Sequence, residues 1–412
     1  MPWHPRAQGV TPPTGALRYR PSQPVLTLAA ARLVGAVASY MVLPFVAVRL
    51  VEGGAGLAAA GLVAAAGPAA GAIAGVVGGM AADGIGRRNA LIVGNLGSAL
   101  AMAGFAFSHG VLAFALLNAL NGVSRAVARP ASNAIVADVT APHERAEAYA
   151  YGRVAMNAGA ALGPFLGAFF VLSHPEALFL GAAGAEVAIC LMLALLIAET
   201  GRSLGTVSHR EAARRVAGDG VLWLYMVGGI IQFGTYMIIE TIFPAFLKGA
   251  VPSGLTLYAA MSLVNTALVA LGQIPLNRRL GGLPKGSVFA WGLSLFAAAY
   301  VGFTFLRLPI ALLGTMIVFT AAEMVVFTVM PAFEAELGDD AVRGRVFGLL
   351  GLKSLGAALW PLGAGALLQI GGAHLAFPVV AIVALAGAFI LRRAVRLHEA
   401  AVPTPAYPVQ ET

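Results

Sequence analysis

GAALGPFLGA, residues 159–168, and GAALWPLGAG, residues 356–365, are two versions of one stretch. The correspondence widens around them. Arg153 matches Lys353, Pro130 matches Pro331 and Pro44 matches Pro244, in the same order and at offsets near 200. Any one match is weak. Four in order at nearly one offset say that the chain carries two similar halves.

Composition says what the halves are made of. Of 412 residues, 59% are hydrophobic and only 11% charged, where a soluble domain carries roughly 25%. The apolar residues gather into runs near the 20-residue length that crosses a bilayer as a helix. Candidate spans are 26–50, 56–81, 89–107, 111–137, 145–172, 177–198, 221–247, 254–276, 284–305, 309–335, 342–370 and 373–393. The 51 glycines suit close packing between apolar helices. Cys190 stands alone, so no intrachain disulfide is possible. Residues 1–24 are polar and have no apolar core followed by a small-residue cleavage site, so we expect no cleaved signal peptide. The expectation is an all-α membrane protein with twelve transmembrane helices in two six-helix bundles, at 25–198 and 221–395. A polar linker at 199–220, with Arg202, Arg210, Arg214 and Arg215, joins them, between tails at 1–24 and 396–412. The second tail, with Pro403, Pro405 and Pro408, reads as disordered.

Lysine and arginine orient the chain. With twelve spans, the termini and the even-numbered turns share one side, which collects eighteen of the 26 basic residues. The other side holds Arg49, Lys248 and Arg307, and five more lie inside spans. Both termini are therefore expected in the cytoplasm, with the chain in the plasma (bacterial inner) membrane. The net charge of +8 is charge bordering a membrane, not a nucleic-acid surface.

GMAADGIGRR, with Gly79, Asp83, Gly86, Arg87 and Arg88, lies between spans two and three. It resembles the signature of the major facilitator superfamily in that loop, except that Gly84 stands where the family usually has a basic residue. The glycine-proline pattern of Gly159, Gly163, Pro164 and Gly167 resembles the motif of the drug:proton antiporter branch. Asn118 stands where the usual fourth-span motif has arginine. Glu240-Thr-Ile-Phe-Pro244, the Glu323 region and Lys353 are similar to the LmrP-type multidrug transporters. The resemblance implies the major facilitator fold, whose halves are parallel repeats about an axis along the membrane normal. It also implies a conformational latch at Asp83, Arg87 and Arg88; the same charges also serve topology alone.

Gly67, Gly71, Gly75 and Gly79 form a strip on span two, which suits either fixed packing or a sliding contact. Pro244 removes the donor that Glu240's carbonyl would meet, and Pro44 does the same for Tyr40. Two matching kinks suggest cavity walls, or serve packing alone. An ionisable group at mid-membrane costs at least ~2.5–3.5 kcal/mol and is a functional hypothesis by default. Glu323, at mid-span, and Glu240, in the outer half of its span, are such groups. Burial disfavours their charged form, which suits them to carry and release a proton; the alternative is a fixed ion pair with Lys353 or an arginine. Glu186 lies on a peripheral span, and Glu334 is expected to be solvated near the cytoplasm. Arg125 and Arg129 share a face of span four, and with Arg153 they suit an anionic group or pairing with the carboxylates. Arg32, like Arg153, is near enough to the cytoplasm to snorkel. Tyr40, Asn157, Gln232, Tyr236 and Lys353 complete the expected cavity lining.

No phosphate-binding loop, metal-ligand cluster or nucleophile elbow is present. We therefore expect no enzyme, no cofactor and no metal. The expected function is secondary active export, protons exchanged for a small amphiphile. The alternatives are a lipid or lipid-linked carrier, a uniporter or importer on the same fold and, remotely, a non-transporting receptor. The expected partners are that small amphiphile or lipid, protons and membrane lipids, with no nucleic acid, acting as a monomer.

Overall fold

The computed structural model describes residues 20–141, 144–200, 218–334, 336–337 and 350–401. Most of the expected tails and linker, at 1–19, 201–217 and 402–412, lies outside the described residues. Six helices form the first half: α1 (Gln23–Glu52), α2 (Leu57–Ile85), α3 (Arg87–Phe107), α4 (Val111–Asp138), α5 (Arg145–Ser173) and α6 (Pro175–Leu196). The second half holds α7 (Gly220–Thr241), α8 (Phe243–Ala250), α9 (Gly254–Leu280), α10 (Lys285–Phe305) and α11 (Pro309–Glu334). A 3-10 turn (Gly351–Leu355) then leads into α12 (Gly356–Ala401).

Among the described residues, ten helical stretches are long and apolar enough to cross a membrane. The last of them is two crossings. Gly372 interrupts α12 with φ 61° and ψ −161°, a left-handed backbone that glycine tolerates best. The chain turns back there. Lys353, before the turn, and Leu391, after it, both pack on α7 at Gly229 and Gly228. The 29-residue α5 adds another crossing, since at 1.5 Å per residue it is about 43 Å long. Twelve crossings result. Large side chains such as Leu195 and Ile370, 81% and 79% exposed, stand on the outer surface, as lipid-facing residues do and water-facing ones rarely do.

The repeat is visible in the packing. In the first half α1 packs on α5, α2 and α3 on α4, and α3 on α6. In the second, α7 packs on α12, and α9 and α10 on α11. The bundles meet through α2 against α12 and α5 against α9. The two copies of the opening motif do the same job with knob and hole exchanged. A Cβ on Gly163 would meet the Cβ of Tyr40 at 2.6 Å; a Cβ on Gly234 would meet the Trp360 ring at 2.6 Å. Glycine thus sits on α5 in one half and on α7 in the other, and a bulky residue faces it each time.

Two expectations change, and the glycine strip takes the fixed-packing alternative. The paired prolines are not placed alike: Pro44 lies inside the single helix α1, whereas α7 stops at Thr241 and α8 restarts with Pro244 in its first turn. A proline costs least in a first turn, where its missing N–H has no partner to lose. Helix α12 continues past 393 to Ala401, so the start of the expected disordered tail is helical. The glycine strip of α2 packs within its own bundle, Gly67 against Asn118 and Gly71 against Gly122 of α4, and Gly75 faces open space.

Candidate functional site

Glu323 sits mid-way along α11, one turn after Thr320. Asn265 of α9 donates through Nδ2 to Glu323 Oε2 at 2.7 Å and to Thr320 Oγ1 at 3.1 Å. The Thr320 hydroxyl is itself bonded to the Met316 carbonyl at 2.8 Å. Tyr236 of α7 makes a second hydrogen bond to Glu323, its ring held between Phe319 and Phe327. Glu240 follows one turn along α7. Its charge reaches Tyr236, Tyr258 and, across the junction of the bundles, Tyr40. Tyr40 also feels Glu323 from one side and Arg125 and Arg129 from the other. The two sequence-predicted acids are therefore brought together where the halves meet, each half-buried. Asn265 and Thr320 were not anticipated; an asparagine in the middle of an apolar span is the signal that marks them.

Lys353 does not pair with Glu323. Its ammonium donates to Glu334, and the Tyr225 hydroxyl donates to the same carboxylate oxygen at 2.7 Å. The Lys353 and Glu334 side chains are each 12% exposed, so the expected solvation of Glu334 is wrong. Helix α11 turns Glu334 inward toward α7, where Phe333 packs on Tyr225. Gln232, expected to line a cavity, is instead 1% exposed, and neither atom of its amide has a hydrogen-bond partner among the described residues.

In the first half, Arg125 donates to the Gly35 carbonyl at 3.2 Å and stands 4.0 Å from Glu186, which is 1% exposed. Glu186 Oε2 and Arg125 Nε have no hydrogen-bond partner among the described residues. This peripheral acid is thus the carboxylate that Arg125 faces within its own bundle. Arg129 is exposed, and its charge reaches Lys353 and Arg32. Arg32 is tied to Ser132 at 3.2 Å and to Asn133. Arg153 and Asn157 lie four apart on an exposed face of α5.

The loop motif stitches helices of one bundle. Gly86 has φ 92°, a backbone that other residues rarely adopt, and lies against the Glu199 carboxylate. Arg87 pairs with Asp138 at the end of α4. The backbone N–H of Arg88 donates to Glu199 Oε1 at 3.2 Å, and its guanidinium to the Ala194 carbonyl of α6. The side chains of Gly79 and Asp83 lie outside the described residues. Gly159, Gly163 and Gly167 let α5 lie directly on α1, between Leu33 and Phe45. Asn118, in place of the usual arginine, donates to the Val63 carbonyl at 2.7 Å and fastens α4 to α2.

The bundles are closed against each other at the end that carries the α1–α2 turn. Lys248 pairs with Glu52, and Gln369 Oε1 accepts from the Ala58 N–H at 2.9 Å. Gly61 and Gly365 let the α2 and α12 backbones touch there. Beneath this seal is a cavity of about 50 Å³ lined by Leu43, Ala64, Asn118 and Thr241 among others.

The profile of the Major Facilitator Superfamily matches residues 28–353. An uncharacterised transporter of that type from Bacillus subtilis (strain 168), YqjV, is 27% identical, with 84% of this chain and 87% of its own length covered. A Na(+), Li(+), K(+)/H(+) antiporter of Planococcus maritimus is 26% identical over 78% of this chain and 84% of its own. Among solved structures, a bacterial homologue of the human lysosomal transporter Spinster, in an inward-facing and unoccupied conformation, superposes with a TM-score of 0.74 at 15% identity. It covers 95% of this chain and all of the other.

Proposed function

The chain is a membrane transporter that belongs to the Major Facilitator Superfamily, and from that premise we propose that it exports small amphiphilic compounds in exchange for protons, by alternating access. One observation carries the reading: two carboxylates, Glu323 and Glu240, lie together at the junction of the halves. Such acids in a membrane interior are costly and are retained for ion or proton traffic. On this reading Glu323 holds the proton while the site faces outward. It gives the proton up when the site faces the cytoplasm and a substrate's cationic end arrives. Asn265 and Tyr236 hold the carboxylate in place, and Tyr40, Tyr236 and Phe327 supply aromatic surface. The orientation rests on the excess of basic residues on the side of the termini. With that orientation, the sealed α1–α2 end is the outer gate and the structure is a state closed to the outside. Asp83 acts as the latch between states, as the loop signature suggests.

A second reading has a specific observation behind it. The antiporter of Planococcus maritimus carries monovalent cations by its name, and the Glu323 carboxylate beside the Thr320 hydroxyl offers the hard oxygen ligands such ions take. The arginines Arg125 and Arg129 keep an anionic or lipid cargo as a third. One experiment separates them: the reconstituted protein in liposomes, with proton flux read by a trapped dye. Ethidium, sodium or potassium gradients, and labelled lipids are offered in turn. Proton flux driven by ethidium alone supports the first reading; flux driven only by sodium or potassium replaces it with the second.

A further inference from the structure

Tyr225, Gly229, Gln232, Tyr236 and Glu240 are spaced by four, three, four and four residues along α7, so they share one face of the helix. Each is engaged differently. Near the start of α7, Tyr225 donates to Glu334, which also takes the Lys353 ammonium. The alkyl stem of Lys353 lies over Gly229, where a Cβ would meet its Cδ at 2.6 Å. Tyr236 bonds to Glu323, and Glu240 ends the row. Between the two occupied ends stands Gln232, 1% exposed and without a hydrogen-bond partner among the described residues. From Tyr225 to Glu240 the row covers about 22 Å at 1.5 Å per residue, most of a hydrocarbon core of about 30 Å.

We propose that this row is a proton conduit inside the C-terminal bundle, joining the Glu323–Glu240 site to the Lys353–Glu334 pair by a route separate from the substrate's. The inference rests on the proton-exchange reading above. Gln232 carries it. A buried amide left without partners is unfavourable, and native proteins hold few such groups. A leucine would serve packing better. An amide presents both donors and an acceptor, which suits it to align water. No direct bond joins its amide to Tyr225, about 10 Å away along the axis, or to Tyr236, one turn on, so on this proposal water bridges them. The rings of Phe289 and Phe333 about Tyr225, and of Phe319 and Phe327 about Tyr236, wall the row off. Antiport explains the use of such a route. A substrate entering from the cytoplasm fills the junction, and the displaced proton must leave to the same side. In the conduit one proton leaves the Glu323 carboxyl, passes along water ordered by Tyr236 and Gln232, protonates Glu334 and is released at the termini end. No other bond changes.

The charged and titratable groups around the row are Glu323 and Glu240 at one end and Glu334 and Lys353 at the other. Arg129, Tyr40 and Tyr258 act on them through their charges or hydroxyls. Tyr300 donates to the Thr235 carbonyl at 2.6 Å, and His398 packs on Phe333.

The test needs no substrate. The full chain in lipid is given a rapid pH rise, and the acid-form carboxyl band is followed by infrared spectroscopy. Glu323→Gln identifies the band by removing it. In Gln232→Leu that band should decay about tenfold more slowly, equivalent to about 1.4 kcal/mol on the barrier. Its equilibrium titration and melting temperature should be unchanged or, for melting, higher. Gln232→Met serves in the same way should the leucine variant fold poorly. Gln232→Asn should recover part of the rate. Wild-type decay in both apolar variants overturns the conduit while leaving Glu323 as proton carrier. A wild-type spectrum in which no band is lost with Glu323→Gln overturns the proton reading of Glu323, and the conduit with it.

Discussion

Removing the Glu334 carboxylate should cost stability in a way that removing Glu323 does not. Lys353 and Glu334 are each 12% exposed and bonded to each other. Breaking a buried pair from one side leaves an uncompensated charge and costs about 3–5 kcal/mol. The residual exposure and the Tyr225 ring, 5.7 Å from the ammonium, place Glu334→Ala near the lower end, about 3 kcal/mol. Replacing both partners with apolar residues, Glu334→Leu with Lys353→Met, removes the orphan and should return most of that loss. Glu323→Gln keeps an acceptor for the Asn265 amide and leaves no lone cation, so we expect a change of about 1 kcal/mol or less. The measurement is thermal melting of the purified variants in one detergent at one scan rate. A double-mutant cycle then gives the coupling. If Glu334→Ala melts with wild type, or if the double variant loses the sum of the single losses, the buried-pair reasoning is wrong.

Three further outcomes are expected. Glu323→Gln should abolish uphill, gradient-driven transport while sparing exchange that moves no net proton, and Glu240→Gln should weaken coupling; reconstituted uphill and exchange assays decide, and full uphill transport by a well-folded Glu323→Gln protein would remove that residue from the mechanism. Glu52→Gln together with Gln369→Leu should loosen the seal at the α1–α2 end, each link contributing about 0.2–1 kcal/mol; a cysteine at Thr241, beneath the seal, should then react faster with an impermeant maleimide, in a background lacking Cys190. A protease site inserted at Gly205 should be cut only from the cytoplasmic face, and cleavage from outside would invert the orientation.

The span count and the repeat were legible because both are written along the chain. Apolar length gives crossings, and matched prolines and glycines give register. The acids Glu323 and Glu240 were legible for the same reason: depth follows from position in a span, and a charge at that depth stands out. What a span does not state is which neighbour each face meets. Arg125 and Glu186 lie on α4 and α6, and Lys353 and Glu334 on either side of the α11–α12 connection. Only the packed bundle says that these pair, and that Lys353 is spent on Glu334 and so not available to Glu323. The burial of Gln232 was hidden likewise, although its place in the row from Tyr225 to Glu240 is readable from spacing alone. Pro44 and Pro244 show the remaining limit. The same residue at matched positions lies inside one helix and starts another, because the following residues and their packing decide whether the freed turn is kept.

The two halves began as one plan and now differ in chemistry. Around Tyr40 at the junction, the first half contributes the charges of Arg125 and Arg129; the second contributes those of Glu240 and Glu323. Tyr40 lies within reach of all four charges. With the acids ionised, the halves attract through this region, and in a low-dielectric interior that attraction is far stronger than in water. Protonating Glu323 removes part of it without moving an atom of the packing. On the proposed reading, proton binding therefore does two things at once: it neutralises the substrate's docking charge and loosens the bundles from each other. A substrate cation at the same carboxylates has a related effect, screening the acids from the arginines. The exchange of knob and hole, Tyr40 with Gly163 in one half and Gly234 with Trp360 in the other, packs the helices of each bundle in direct contact. On that proposed reading, the change in attraction is expressed as motion between the bundles and not within them.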